Sequence, residues 1–399
     1  MESVLVFLGS GVSVPSRIPG VVELTRRLLD DPYHRTTVEN YSPGDAASLV
    51  ADWYSARPLQ QFLQYLAAYT KRFLNRKRDP GDDPIEPNYE DLYYLCDQVH
   101  DDLLGAGINP AVHEFTRCVG EGASDIIGSH PDESKRDLLT FVQESRLFIP
   151  SVVWHALDRR EVEPVGLGLL VDIARSAEIG EVSVVTLNHD TLVERLFTQE
   201  GVAFEDGFGE ADGSVRWYEP DRLFGEEAGV RLIKPHGSVD WYRFRPNPTA
   251  SVPGEPDRYG IHVGRDIYHS TNARGTDLLD LNTVPLFLSG TGKELLYNSG
   301  IYGDMYDAFL HALRSTDTVV MSGYGWNDAG ISSRLYTWMD RDPNRRLLIL
   351  HENATGLWLD SRAGGSIPKY ADRGQVLSIS KWLQNVEMDE VLRSLASSR

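Results

Sequence analysis

The chain has 399 residues, of which 41% are hydrophobic, and its 59 acidic and 39 basic side chains give a formal net charge of −20. A chain of this length can bury one large hydrophobic core or two smaller ones. The strongly negative surface disfavours non-specific nucleic-acid binding, because it repels phosphate backbones. We therefore expect no direct nucleic-acid partner.

The sequence also argues against a membrane protein and against a cysteine-based metal site. No window reaches the run of about 18 apolar residues that a membrane-spanning helix needs, and the N-terminus lacks a basic signal-peptide start and a cleavage site. Cys96 and Cys118 are too few for a disulfide framework or a four-thiolate zinc site. We expect a cytoplasmic protein with no membrane contact and no bound metal.

Short apolar runs that are typical of buried strands recur along the chain. They lie at residues 3–8, 182–187, 230–233, 317–321, 346–350 and 376–379. Each is too short for a helix, and such runs are typical of parallel strands that are buried on both faces. Helical periodicity follows the first run, with Val21, Leu24, Thr25 and Leu28 on one face. This alternation predicts an α/β fold with a Rossmann-like, doubly wound parallel sheet.

The stretch between the first two strands is too long for a simple crossover connection. Helical patterns dominate it at 46–74, 89–104 and 136–157, with a Pro/Asp-rich loop at 77–87. We predict a single composite domain over 1–399, with a core at 1–30 and 165–399 and a large helical insertion lobe at 31–164. Residues 243–283 are rich in Pro, Gly and Asp, and we expect them to form surface loops.

The first strand runs directly into a glycine-rich turn, GSGVS at residues 9–13. A turn of this kind before a helix aims backbone amides at one point, which suits a phosphate or a pyrophosphate. The dinucleotide fingerprint G-x-G-x-x-G is incomplete, because Val14 stands where the third glycine belongs. For this loop alone, a tight strand-to-helix turn without a ligand is the alternative.

Three later strands also end in small and polar residues. These follow in TLNHD at 186–190, KPHGS at 234–238 and SGYGWND at 322–328. The carboxyl ends of parallel strands meet at one edge of a sheet, and the ligands of open α/β sheets bind at that edge. The four strand ends together therefore predict a nucleotide site.

The order and rough spacing of GSGVSVPSRIP, TLNHD, KPHGS and SGYGWND resemble the sirtuin family. The chain looks most like the sirtuin-like domains of bacterial antiphage defence, which resemble sirtuins but degrade NAD. Residues 284–313 are similar to the segment before the last nucleotide turn of those domains. The resemblance spans nearly the whole chain outside the helical insertion, and it implies a sirtuin-like fold that takes NAD as its substrate.

The resemblance implies roles for individual residues. Asn188 matches the asparagine that lies beside the nicotinamide ribose and orders the attacking water, which suits an amide because it both donates and accepts hydrogen bonds. His236 matches the catalytic histidine near the ribose hydroxyls, and an imidazole can take a proton near neutral pH. The other implied NAD contacts are Gly9, Ser10, Gly11, Ser13, Asp190, Gly323, Gly325, Asp328 and Asn353.

Some of these positions have structural alternatives. Asp190 is expected to brace its loop or to order Asn188 rather than to touch substrate, and an N-cap is the alternative for Asp328. Gly325 stands where relatives commonly carry a serine, so backbone amides of this turn would have to bind the nucleotide instead. Asn353 is kept as an adenosine contact near the end of its strand.

Two departures from the sirtuin pattern bear on the reaction. Gly20 follows the Ile-Pro pair where sirtuins continue with Asp-Phe-Arg, and the four-cysteine zinc module is absent. In deacylases the acyl-lysine peptide binds between the nucleotide core and that module. Hydrolysis of NAD to nicotinamide and ADP-ribose is then the simpler reaction. The alternatives are an NAD-dependent protein deacylase, an ADP-ribosyltransferase, or a non-catalytic module that binds NAD or ADP-ribose.

The resemblance also implies partners. Compact relatives of this kind are often encoded with a HerA-type hexameric ATPase, and they form homo-oligomeric rings. We expect this chain to homo-oligomerise through its helical lobe and to dock on such an ATPase, as an NAD-depleting effector of antiphage defence.

Overall fold

The computed structural model describes residues 3–31, 53–76, 84–130, 132–158, 162–225, 229–246, 258–263, 270–271, 277–280, 286–287, 297–359, 361 and 365–396. The strands are β1 (Ser3–Leu8), β2 (Glu181–Thr186), β3 (Phe208–Asp212), β4 (Val215–Tyr218), β5 (Val230–Ile233), β6 (Trp241–Pro246), β7 (Arg258–His262), β8 (Ser270–Thr271), β9 (Asp277–Asp280), β10 (Thr318–Ser322), β11 (Arg346–Leu350) and β12 (Val376–Ile379). The helices are α1 (Val21–Asp30), α2 (Trp53–Leu74), α3 (Tyr89–Leu103), α4 (Pro110–Gly122), α5 (Ser124–Gly128), α6 (Leu138–Leu157), α7 (Gly168–Arg175), α8 (Leu192–Glu200), α9 (Gly300–Ser315), α10 (Ala329–Arg341), α11 (Ala354–Leu359), α12 (Ile367–Asp372) and α13 (Met388–Ala396). The chain divides into a first compact unit, Met1–Ile18 with Asp158–Leu288 and Glu294–Arg399, and a second unit, Pro19–Leu157 with Ser289–Lys293.

The first unit contains a parallel sheet with the strand order β12-β11-β10-β1-β2-β5 among the described residues. Val6 on β1 is in register with Val184 on β2 and with Val320 on β10. The chain therefore starts inside the sheet and adds strands on both sides of β1, which is the doubly wound topology. All of the strands predicted from apolar runs form in this sheet, which confirms the α/β fold class.

The strands of this sheet are apolar because both faces are covered. Residues 4–8 of β1 are each at most 2% exposed. The ring of Phe7 packs against Phe309 on α9 and against Tyr324 after β10, with centroids 6.0 Å and 5.1 Å apart. This packing fixes the carboxyl ends of β1 and β10 side by side.

A second, antiparallel sheet in the same unit has the order β3-β4-β7-β6-β9-β8 among the described residues. The prediction of surface loops over 243–283 is wrong where this region forms β6 to β9. Val263 follows β7 outside any strand, and the remaining residues of the region lie outside the described part. Along β4, Val215 and Trp217 are buried whereas Arg216 and Tyr218 are half-buried. This alternation is typical of a sheet with one covered face.

The described elements of the second unit are helices. Asn88 begins α3 with a capping box, in which its side chain accepts hydrogen bonds from the amides of Glu90 and Asp91. On α1, Leu24 and Leu28 are buried, as the periodicity predicts. The predicted helices form as α2, α3 and α6, although residues 46–52 and 77–83 lie outside the described part. Within that part, no helix combines the length and the apolar character needed to cross a membrane.

Candidate active site

Two glycine-containing loops meet where the winding of the parallel sheet reverses, at the ends of β1 and β10. The Gly9 amide donates to the Ser322 carbonyl at 3.0 Å, and the Gly11 amide donates to the Gly323 carbonyl at 3.1 Å. Gly323 adopts a φ of +70°, and a Cβ atom there would lie 2.6 Å from the Val12 nitrogen. The loops approach this closely because glycine carries no side chain.

This loop packing uses the backbone amides of Gly9 and Gly11. Both amides donate to the neighbouring loop, and a contact of these residues with the pyrophosphate stays a prediction. A Cβ atom on Gly9 would lie 2.5 Å from the Gly323 oxygen, so backbone packing explains the glycine. Ser10 and Gly325 are exposed at the tips of the two loops. Among the described atoms, a Cβ on Gly325 would meet only Asn327 Nδ2, at 3.7 Å, so the space above Gly325 is open.

The Asn188 side chain reaches from the end of β2 to the loop after β1. Its Nδ2 donates to the Gly9 carbonyl at 3.1 Å and to Ser13 Oγ at 2.9 Å. A carbonyl oxygen can only accept, so the contact with Gly9 fixes which end of the amide is Nδ2. Asn188 is 9% exposed. Both amide hydrogens are therefore committed to the protein, and Oδ1 is the end of the group that can accept a hydrogen bond from a ligand or a water.

Asp190 holds the same loop from the other side. Its Oδ2 accepts from Ser13 Oγ at 2.7 Å and its Oδ1 accepts from the Leu192 amide at 3.1 Å. Both oxygens accept hydrogen bonds within the protein and the residue is 7% exposed, so Asp190 braces this loop, and a contact with NAD stays a prediction. Ser13, which the resemblance assigns to NAD, joins Asn188 to Asp190 in this arrangement.

The buried side chain of Lys234 connects the loop that follows β2 with the loop that follows β5. Its ammonium group donates to the Asp190 carbonyl at 2.6 Å, to Glu194 Oε1 at 2.8 Å and to Ser238 Oγ at 2.8 Å. Lys234 is 2% exposed, so these bonds satisfy its three donors within the protein. Burial raises the pKa of Glu194 to about 7, against the opposing charge of Lys234.

His236 is held in a cluster of three side chains. Its Nε2 lies 2.6 Å from the Tyr297 hydroxyl and 3.1 Å from Asp328 Oδ2, and the same hydroxyl donates to Asp328 Oδ2 at 2.9 Å. Gly237 beside it has a φ of +77°, a left-handed conformation that favours glycine. His236 is 4% exposed. The imidazole is therefore positioned by fixed partners before any ligand binds.

Asp328 also caps a helix, which is the structural alternative to its expected contact with NAD, and that contact stays a prediction. Its Oδ1 accepts from the Ile331 amide at 3.0 Å, in the first turn of α10, while Oδ2 serves His236 and Tyr297. Burial would raise the pKa of Asp328, but the hydrogen bond from His236 and the positive charge of its protonated ring, together with the hydrogen bonds from the Ile331 amide and Tyr297, outweigh burial and hold that pKa well below its usual range. Burial and the Asp328 charge raise the pKa of Tyr297 far above its ordinary value.

Bonds between side chains and backbone close these four loops of the described chain into a ring. We call residues 9–13, 186–190, 234–238 and 322–328 the strand-end ring. The links are Ser13 to Asp190, Lys234 to Asp190, His236 to Asp328 and Gly11 to Gly323. The rings of His189 and His236 lie 6.3 Å apart, so Asn188 and His236 belong to neighbouring parts of one local site.

Asn353 lies apart from these contacts, after β11. Its Oδ1 accepts from the Gly356 amide at 2.9 Å, which caps α11. The backbone amide of Asn353 donates to His351 Nδ1 at 3.0 Å. A structural role therefore explains Asn353, and its adenosine contact stays a prediction.

Two parts of the site are missed by sequence reasoning. Tyr297 carries no motif of its own, and its only signal is its place in the segment 284–313 that resembles the family. The partnership of Lys234 with Glu194 spans 40 positions of the chain, and spacing alone does not predict it. Among the residues that the structure describes, no group of three or more His, Cys, Asp or Glu side chains is arranged to hold a metal ion.

No protein family model and no curated protein matches this chain. Solved structures are similar to it: a Sir2 homologue in complex with NAD is 12% identical over 99% of this chain and 90% of its own, with a TM-score of 0.39. A triple mutant of a Sir2 homologue in complex with 2′-O-acetyl-ADP-ribose is 12% identical over 99% and 92%, with a TM-score of 0.35. Because these values are low, the functional proposal rests on the contacts of this chain itself.

Proposed function

We propose that this chain is an NAD glycohydrolase, which cleaves NAD to nicotinamide and ADP-ribose in the cytoplasm. The observation that carries the proposal is the position of the Asn188 carboxamide, which Gly9 and Ser13 hold in place. Asn188 follows β2, and His236 follows the neighbouring strand β5. One group can hold a water and the other can take its proton. Both are buried and held by protein partners, which is the preorganisation that catalysis requires.

An extended dinucleotide suits the strand-end ring. From β11 to β5 the sheet edge covers four strand spacings, about 19 Å. In this arrangement the adenosine lies over the end of β11, the pyrophosphate over the exposed tips at Ser10 and Gly325, and the nicotinamide ribose over Asn188 and His236. The open space above Gly325 supports this placement of the pyrophosphate.

The reaction breaks the bond between the ribose C1′ and the nicotinamide nitrogen and forms a bond from C1′ to a water oxygen. The bond electrons return to the positively charged pyridinium ring, so nicotinamide leaves as a neutral molecule. Asn188 Oδ1 accepts a hydrogen bond from the water and orients it, and His236 takes the proton that the water loses. General acid and base assistance of this kind is worth about a hundred to ten thousand fold in rate.

The direct test is to incubate the purified full chain with NAD, with and without an acyl-lysine peptide. We expect nicotinamide and ADP-ribose to appear without peptide. Release that requires the peptide would instead indicate a deacylase or an ADP-ribosyltransferase. Tight NAD binding without any release would indicate a non-catalytic binding module.

We further propose that the chain is an effector of antiphage defence that depletes NAD as a homo-oligomer, together with a HerA-type hexameric ATPase. The sequence resemblance supports this proposal. Light scattering at micromolar concentration should give a mass above that of one chain, and a co-expressed ATPase of this type should co-purify. A monomer that does not bind the ATPase would contradict it.

A further inference from the structure

Tyr297 is a hydrogen-bond partner of His236 that no sequence motif predicts. Its hydroxyl lies 2.6 Å from His236 Nε2 and donates to Asp328 Oδ2 at 2.9 Å. Asp328 Oδ2 itself lies 3.1 Å from His236 Nε2. Each of these three atoms therefore contacts the other two, and the protons they share are not independent.

The protonation states of Asp328 and Tyr297 determine which nitrogen of His236 carries a hydrogen. Asp328 acts as an acceptor at both oxygens, since Oδ1 accepts from the Ile331 amide and Oδ2 accepts from the Tyr297 hydroxyl, and a carboxylate can only accept hydrogen bonds. Tyr297 keeps its proton, since its pKa lies far above the usual value, and it donates that single proton to Asp328. The Tyr297 oxygen therefore accepts from His236, so both partners of Nε2 are acceptors and Nε2 must carry a hydrogen.

Packing fixes the position of the Tyr297 hydroxyl. The Tyr297 ring stacks on Tyr306, with centroids 4.3 Å apart and planes 3° from parallel. The same ring lies 5.9 Å from the His236 ring, at 20°. Tyr297 is 5% exposed, so its hydroxyl cannot leave the cluster without breaking the stack.

We propose that Tyr297 and Asp328 are positioning residues that hold neutral His236 as the Nε2–H tautomer, so that Nδ1 is the atom that accepts a proton. The part of this proposal that concerns proton transfer during NAD cleavage rests on the proposed function. Tautomer control of this kind matters because an imidazole with its lone pair on the wrong nitrogen cannot act as the base.

The sharpest test is Asp328→Asn, read by nitrogen-15 NMR of histidine-labelled protein without NAD. His236→Gln assigns the His236 signals by their loss. We expect wild-type Nε2 to carry the hydrogen. In D328N the Tyr297 proton loses its carboxylate acceptor and turns to Nε2, so the signals should report the Nδ1–H tautomer. Asparagine is as good an N-cap as aspartate, which preserves the start of α10. A wild-type Nδ1–H tautomer, or an unchanged tautomer in D328N, would overturn the proposal.

Activity provides a second, separable measurement. We expect D328N to lower kcat by about a hundredfold and Tyr297→Phe by about tenfold, each with little change in KM, because substrate contacts are retained. The pH profile of kcat should shift in D328N, because the substitution removes the carboxylate charge that lies 3.1 Å from His236 Nε2, while Tyr297 and His189 still face the ring. Tyr306→Phe is the matched control: it removes a hydroxyl from the same stack, one that accepts from Arg334 Nε at 3.2 Å, and should leave tautomer, kcat and profile unchanged.

The two proposals fail in different ways. A wild-type protein that releases no nicotinamide contradicts the glycohydrolase, while the NMR result on His236 still decides the tautomer. A wild-type protein that cleaves NAD, with D328N equal to it in kcat and in pH profile, contradicts the role of Asp328 and leaves the glycohydrolase standing.

Discussion

The two sides of the strand-end ring are held together by different means. On the side of β1 and β10, backbone meets backbone: Gly11 donates to the Gly323 carbonyl, and there is no space for a Cβ atom on Gly9 or Gly323. On the side of β2 and β5, buried side chains make the contacts, with Lys234 bound to acceptors on both loops. One side excludes side chains, and the other depends on them.

This difference changes how the motifs are interpreted. A glycine pair after a strand suggests a phosphate site, yet contacts within the protein already explain Gly9 and Gly11. A buried polar network, by contrast, costs free energy unless every member is satisfied. The fixed Asn188 and His236 are therefore stronger evidence for chemistry than the glycines that led to them.

The largest effect should come from removing the polar groups proposed to act on the substrate. Asn188→Ala and His236→Ala should each lower nicotinamide release by about a hundredfold or more. Thermal melts should show that both variants stay folded. His311→Ala, at an exposed position on α9, is the control for loss of a histidine and should keep full activity. A folded H236A with normal turnover would remove His236 from the mechanism.

The next effect concerns the buried ion pair of Glu194 with Lys234. Burial raises the pKa of Glu194 from its ordinary value of 4.5 to about 7. Between these two values the unfolded chain has lost the proton that the folded chain retains, so the contribution of Glu194 to stability is full below pH 4.5 and is lost as the pH rises towards 7. For a shift of this size the loss is at most about 3 kcal/mol.

Glu194→Gln isolates this contribution, because glutamine does not titrate. Chemical denaturation of both proteins at several pH values gives the difference in the free energy of unfolding, in which other carboxylates cancel. We expect wild type to lose stability relative to E194Q as the pH rises through the window. A difference that stays constant, or that increases with pH, would contradict the raised pKa.

The parallel sheet was predictable because each of its strands carries a short apolar run, and its inner strands β1, β10 and β11 are almost wholly buried. The antiparallel sheet was not, since its strands are short and include a charged residue and a proline, Arg243 and Pro246. In a region rich in Pro, Gly and Asp, that pattern does not differ from a loop. Strand pairing between β4 and β7, which stabilises it, joins positions more than 40 residues apart in the chain.

The site was predictable to a similar extent. Strand ends placed Asn188 and His236 at one edge of the sheet, because parallel strands share a direction. The sequence does not show whether an amide faces a ligand or a neighbouring loop, and the amides of Gly9 and Gly11 donate to the end of β10 and its loop. Tyr297 reaches His236 across 61 positions, which no local pattern encodes.

A pair of glycine variants tests the backbone side. Gly323→Ala forces alanine into a positive φ and against the loop after β1, so we expect it to lose about 1–3 kcal/mol of stability from strain alone. Gly325→Ala has open space and should stay within about 0.5 kcal/mol of wild type. If the pyrophosphate lies above Gly325, G325A should raise KM for NAD and leave kcat unchanged. Equal melting temperatures for the two variants would show that the loops do not constrain each other.

The smallest effect should come from Ser13, which joins the two sides. Ser13→Ala leaves Asn188 Nδ2 with the Gly9 carbonyl alone and removes one donor from Asp190, so we expect a loss of about 1 kcal/mol in stability. The control is Ser16→Ala, because Ser16 is equally buried and its hydroxyl accepts from the Val165 amide at 2.8 Å, away from Asn188. Both variants should melt a few degrees lower. Only S13A should also lose turnover, because a less constrained carboxamide orients the water poorly. If S13A and S16A retain the same kcat, the Gly9 carbonyl alone suffices to orient Asn188, and the two sides of the ring are coupled in stability but not in catalysis.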